Sequence, residues 1–282
     1  MNRTEVSAVF KRWSDYIKRL VKKMIKDEML VRASGVSFYI LLAFFPFVII
    51  LFLISSHIST NMSNSVIDAL QILPAEVTGI IQQLITNIDT GSAVILTMLG
   101  VSLWTMSGAL VTVSKSLNAF YEAKGNRNFF LTRIMAICWA ALMLLMISAI
   151  MILIVFGDII RDFLYAKLHI APHGISRQIA GVVTLMLAEV GILAVIYKSV
   201  VIKKVRFLSV MKGAVVAVVM WMLSSYAFAV YVNNFARYHI LYGSIAGIVI
   251  LVTWIYITSL VILLGGEINS LSDIDNSRGE KE

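Results

Sequence analysis

Between Arg237 and Glu267 the chain carries no Asp, Glu, Lys or Arg, and around Ile245 to Leu264 it is almost wholly Ile, Val, Leu, Trp, Tyr, Gly and Thr. No other feature restricts the fold as strongly. About 20 helical residues rising about 1.5 Å each match the roughly 30 Å hydrocarbon core of a bilayer. A helix also satisfies its own backbone N–H and C=O groups where no water is at hand. Five further apolar stretches have comparable length, so the expectation is an all-α, polytopic integral membrane protein built as a six-transmembrane-helix bundle. Composition agrees: 59% of the 282 residues are hydrophobic and 14% are charged, against about 25% charged in soluble domains. With three prolines and no low-complexity run, the chain reads as one membrane domain, without a separate soluble unit.

The expected spans cover approximately 35–56, 93–113, 134–156, 179–197, 213–232 and 244–265, followed by a cytoplasmic tail at 266–282 that reads as a helix end and then disorder. Residues 1–33 do not form a signal peptide, because Lys and Arg are scattered through to Arg32 and no apolar core precedes a cleavage site. Instead Phe10, Trp13, Ile17, Leu20 and Met24 recur at spacings of three and four among Lys11, Arg12, Lys18, Arg19, Lys22 and Lys23. That pattern predicts a basic amphipathic helix lying in the headgroup region. Between His57 and Gly91 there are acids but no Lys or Arg, and two short amphipathic patterns, the second starting at Pro74, predict helices over the outer mouth of the bundle.

The net charge of +8 is informative through its placement. Residues 1–35, 114–133, 198–212 and 266–282 hold twenty of the 24 Lys and Arg, leaving Arg161, Lys167, Arg177 and Arg237 elsewhere. The positive-inside rule then puts both termini in the cytoplasm.

Three segments carry a family likeness. The run Tyr231–Tyr238, then Leu241–Gly247, and on through Trp254–Tyr256 to Leu264–Asn269 resembles the signature of the YihY/BrkB family of bacterial inner-membrane proteins. Ser34–Tyr39 with Phe45 and Pro46 is similar to that family's first span, and Trp104–Ala109 with Asn118 and Tyr121 to its second. The resemblance extends in order from about Ala33 to Asn269. It implies six spans, cytoplasmic termini, residence in the bacterial cytoplasmic membrane and a loosely defined function. The family has carried a ribonuclease label, and its virulence name points to the envelope. One departure is Met222 after Trp221, where many relatives have an acid. Either any role of that acid is lost here or Glu189 supplies it.

The candidate functional residues are few. Glu189 is the one ionisable group expected deep in a span, with apolar neighbours Leu185, Met186, Ile192 and Leu193 on its own helix; Ser107, Ser224, Ser225 and Tyr226 are its candidate partners by depth. Trp104, Ser107 and Gly108 form the least lipid-like part of the second span and predict a face turned into the protein. Pro46 is expected to kink the first span, near Tyr39. Glu267 and Asn269 fall at the inner end, level with Arg32 and Lys115, where an ion pair is the expectation for Glu267. Gly243 and Gly247 have the spacing of a close helix contact, between the fifth and sixth spans or to a second subunit.

Catalytic chemistry finds little support. His169 and His173 are four apart, but Pro172 and Gly174 interrupt any helix there. Cys138 has no adjacent base and reads as a small buried hydrophobe. A ribonuclease needs clustered carboxylates or a His and Lys pair beside a basic face, and no such cluster is apparent in the sequence. No phosphate-cradling glycine loop is present either. The expectation is a non-enzymatic protein without cofactor, metal or nucleic-acid partner, meeting membrane lipids and, by its packing motifs, a second copy or an envelope protein. Transport or handling of a lipid or other amphipathic envelope component leads; a non-transporting scaffold is the competing class.

Overall fold

The computed structural model describes residues 3–58, 92–123, 125, 128–145, 174–234 and 245–279. Among them every regular element is a helix. In chain order these are α1 (Arg3–Lys26), α2 (Met29–Ile58), α3 (Ser92–Phe120), α4 (Phe129–Leu145), α5 (Gly174–Val200), α6 (Phe207–Asn234) and α7 (Ile245–Gly279). Four of them, in α2, α3, α6 and α7, are long and apolar enough to cross a membrane. The expected outer helices, which fall within 59–91, the loop histidines His169 and His173, and Gly243 lie outside the described residues.

The helices outrun the apolar stretches that predict them. α2 begins at Met29, before the expected start near residue 35, and α3 continues through the polar run Ser114–Asn118 to Phe120. α7 does not fray into a tail after Gly265. It stays helical to Gly279, so Asp273 and Asp275 sit on an ordered surface, correcting the disordered tail expected there. The reason is local: Glu267, Asn269, Ser270 and Leu271 are all buried against other helices, and packing extends a helix beyond what hydropathy requires.

α1 and α2 are separated by a break at Asp27–Glu28, where Glu28 takes a left-handed φ of 51°. Such a φ is uncommon outside glycine. Arg32 Nε donates to the Asp27 carbonyl at 2.8 Å, and Arg32 N bonds Glu28 O at 3.0 Å, so the turn is held from the α2 side.

α2 and α3 form the most extensive pairing, α7 packs along α6 and α2, and α5 packs on α6. The largest apolar cluster gathers at one end of the bundle. It takes Met29, Ala33 and Val36 from the start of α2, Val113, Leu117 and Phe120 from the end of α3, Tyr197 and Val200 from the end of α5, Val210 and Ala214 from the start of α6, and Leu263 from α7. This end also carries Lys115, Lys203, Lys204, Arg206 and Lys212, so the basic loops of the sequence converge in space. The remaining faces carry exposed apolar side chains such as Leu96, Leu142, Val219 and Leu223, as expected of helices solvated by lipid.

Candidate functional site

Two polar constructions occupy the basic end. The first locks the helices together. Asn269 on α7 accepts the Gly213 amide at Oδ1 (2.7 Å) and donates Nδ2 to the Val210 carbonyl (2.9 Å), reading the backbone of α6 as one more strand of ladder. Such proximity needs glycine on both sides. A Cβ on Gly213 would overlap the Gly265 carbonyl oxygen, and one on Gly265 would meet Gly213 O and the Tyr197 hydroxyl. That hydroxyl donates to Ile262 O. Asn118 on α3 does the same for α5: Nδ2 donates to Val200 O at 2.9 Å while Oδ1 accepts Ile202 N at 2.7 Å, closing the carbonyl end of α5.

α1 is tied into this end by charge. Lys23 Nζ reaches Asp27 at 2.6 Å, Glu267 Oε1 at 3.0 Å and the Phe120 carbonyl at 3.0 Å. Glu267 is fully buried, so its ion pair is well shielded from water. Its Oε2 has no hydrogen-bond partner among the described residues. The Phe120 carbonyl at the end of α3 accepts a second hydrogen bond, from Ser270 Oγ at 2.6 Å. Farther out Arg19 pairs with Asp275 at 2.9 Å, and Lys203 with Asp273. Burial, reinforced by Asp273, pushes the nearby Tyr121 phenol well above its ordinary range and keeps it neutral.

The second construction is a cleft of about 480 Å³ between α3 and α4, lined by Val111, Ser114, Lys115, Asn118, Thr132 and Arg133 among others. Above it the Arg133 guanidinium lies 4.0 Å from the centroid of the Trp104 ring and donates Nη2 to the Trp104 carbonyl at 3.0 Å. Its Nε is buried without an acceptor among the described residues.

The expected site residues do not converge. Ser107 is buried as expected and donates to Trp104 O, and Gly108 lies under the Tyr39 ring, whose carbons a Cβ at that position would strike. Trp104 itself is 62% exposed, correcting the inward face expected for it. The lack of a Cβ at Gly108 lets the Tyr39 ring of α2 approach α3 there, while Trp104 packs under Arg133 of α4. Pro46 lies within an α2 that runs through it. Tyr226 is exposed and forms no bond to Glu189, which is half-buried and has no hydrogen-bond partner among the described residues. Glu267 has the expected ion pair, but its partner is Lys23 on α1 rather than Arg32 or Lys115. Gly247 is buried at the start of α7. Cys138 is exposed on α4, contrary to the buried position expected, because that helix packs through Ala136 and Ala140 instead.

Sequence reading missed Arg133 as a site residue by treating it as loop. The helix actually starts at Phe129, which carries Arg133 one turn into α4.

A chain whose described elements are all helices, four of them long and apolar enough to cross a membrane, is a polytopic membrane protein. The model of the virulence factor BrkB family matches residues 20–282, and the chain belongs to that family. It is 31% identical over 269 residues to the putative ribonuclease-like protein YfkH of Bacillus subtilis (strain 168), covering 91% of this chain and 94% of that one. It is 26% identical over 281 residues to a UPF0761 membrane protein of Pseudoalteromonas atlantica (strain T6c / ATCC BAA-1087), covering 95% and 89%. No solved structure matches.

Proposed function

We propose that this is a non-enzymatic protein of the bacterial cytoplasmic membrane, with cytoplasmic termini and six spans, that transports or handles a lipid or another amphipathic envelope component. The observation that carries the reading is the cleft between α3 and α4. Lys115, Arg133 and exposed Phe129 line it, and exposed Trp104 stacks on Arg133 beside it, a polar end next to an apolar flank, which is the pattern an amphipathic ligand needs. The proposed orientation is supported by the Lys and Arg of α1, Lys115 on α3 and Lys203, Lys204, Arg206 and Lys212, which lie at the same end.

The name of the Bacillus relative suggests hydrolysis of RNA. The carboxylates that cluster here, Asp27 and Glu267, are buried against Lys23 and used in docking α1, which favours a structural role. Lipid analysis of purified protein, followed by vesicle assays of lipid movement, tests the proposal. Co-purified lipid matching the bulk membrane, together with unaltered lipid movement in vesicles, supports a scaffold instead.

A further inference from the structure

We propose that the cleft between α3 and α4 selects an anionic phospholipid headgroup, with Lys115 receiving the phosphate and Arg133 providing a second cationic position deeper along the same groove. The inference rests on the lipid-handling reading and narrows its ligand class.

Charge selects the ligand. Neither Lys115 nor Arg133 forms an ion pair among the described residues. The neighbouring acid Glu122 faces Lys26 at 3.4 Å. Unpaired cations within a membrane protein are costly, and both side chains line the cleft, so both invite a negatively charged oxygen there. The neutral polar groups of the cleft are already engaged. Ser114 Oγ donates to Val200 O, Asn118 bridges Val200 and Ile202, and Thr132 Oγ1 donates to Asn128 O. They shape the floor and leave the two cations to recognise a ligand, which suits a phosphate better than a sugar or an amide.

Position separates the two cations. Lys115 lies five residues before the end of α3, about 7 Å along the helix and near headgroup level, and its side chain leans back toward the helix N-terminus. The Arg133 guanidinium sits at Trp104, eleven residues or about 16 Å farther along α3, too far for one phosphate to bridge both at once. One headgroup would occupy them in turn. The source is lipid because Trp104, Phe129, Phe130 and Ile134 beside these cations are exposed apolar side chains along which acyl chains can lie.

The test uses the full-length protein in detergent micelles doped with equal phosphatidylglycerol and phosphatidylcholine, reading bound lipid by native mass spectrometry. Wild type is expected to retain phosphatidylglycerol preferentially. Lys115→Gln should lower that preference about tenfold, Arg133→Lys should largely keep it, and Arg133→Gln should lower it, while Lys204→Gln at an exposed position outside the cleft leaves it unchanged. Lys115 is exposed, so its variant remains a folded probe even if Arg133→Gln does not. Equal retention of both lipids overturns the inference and leaves the lipid-handling reading standing; no retained lipid overturns both. Displacement of phosphatidylglycerol by millimolar glycerol phosphate overturns the lipid source in favour of a soluble phosphate.

Discussion

Glu267 carries the heaviest electrostatic commitment in the bundle. Its buried carboxylate and Asp27 share one ammonium, so Lys23→Met would leave two acids facing each other without a cation. The expected loss is about 3 kcal/mol, read as a lowered melting temperature in detergent. Glu267→Gln should cost less, because Lys23 keeps Asp27 and the Phe120 carbonyl; equal losses for the two variants would contradict this account. At Glu189 the expectation is different, since no described residue bonds it. If it couples proton movement to substrate, Glu189→Gln should abolish the pH dependence of activity while leaving the fold intact, and retention of full, pH-dependent activity would rule that role out. The ion pair of Glu267 was legible from its place at a span end, yet its partner was not: Lys23 lies 244 residues away, and only the docking of α1 brings it near. Trp104 was misjudged because a single helix shows which residues are polar but not which neighbour takes the adjoining side.

Among the elements, α1 is the one whose two faces do opposite things. Arg19 and Lys23 face the bundle through ion pairs, while Ile17, Val21 and Ile25, spaced four apart, remain exposed beside Lys18 and Lys22. An apolar stripe flanked by lysines fits a helix resting in the headgroup layer. Replacing Ile17, Val21 and Ile25 with Ser in the full chain should increase hydrogen exchange across α1 in anionic vesicles and change it little in detergent. No change in the vesicles would mean that the ion pairs alone hold the helix. The sequence pattern revealed the amphipathic helix, but its register against α7 depends on tertiary contacts that periodicity does not encode. The same limit explains α7. Its apolar run ends at Gly266, and only burial of Asn269 and Ser270 explains why the helix continues. Gly213→Ala should test that packing directly, with a loss of about 3 kcal/mol as the new methyl meets Gly265 O.

At the scale of the whole molecule, charge and topology make the same statement. The described basic residues of α1, Lys115 and the stretch 203–212 lie at one end, as six spans alternating in chain order from α2 to α7, α4 included, would have it. Cysteine labelling should therefore find residues near Asn64 outside and near Asn126 inside, and a reversed pattern would overturn the six-span arrangement. The general architecture was readable because hydropathy and loop charge are properties of short segments. The α3–α4 cleft was not, because it depends on where two helix surfaces diverge. The bridges from α1 to the final helix also impose an order on biosynthesis. Glu267 and Asp275 leave the ribosome roughly 250 residues after Lys23 and Arg19, a delay of many seconds at about 5–20 residues per second. Until translation passes that point α1 has no acidic dock on α7, so a chain interrupted before residue 267 is expected to leave its basic helix undocked.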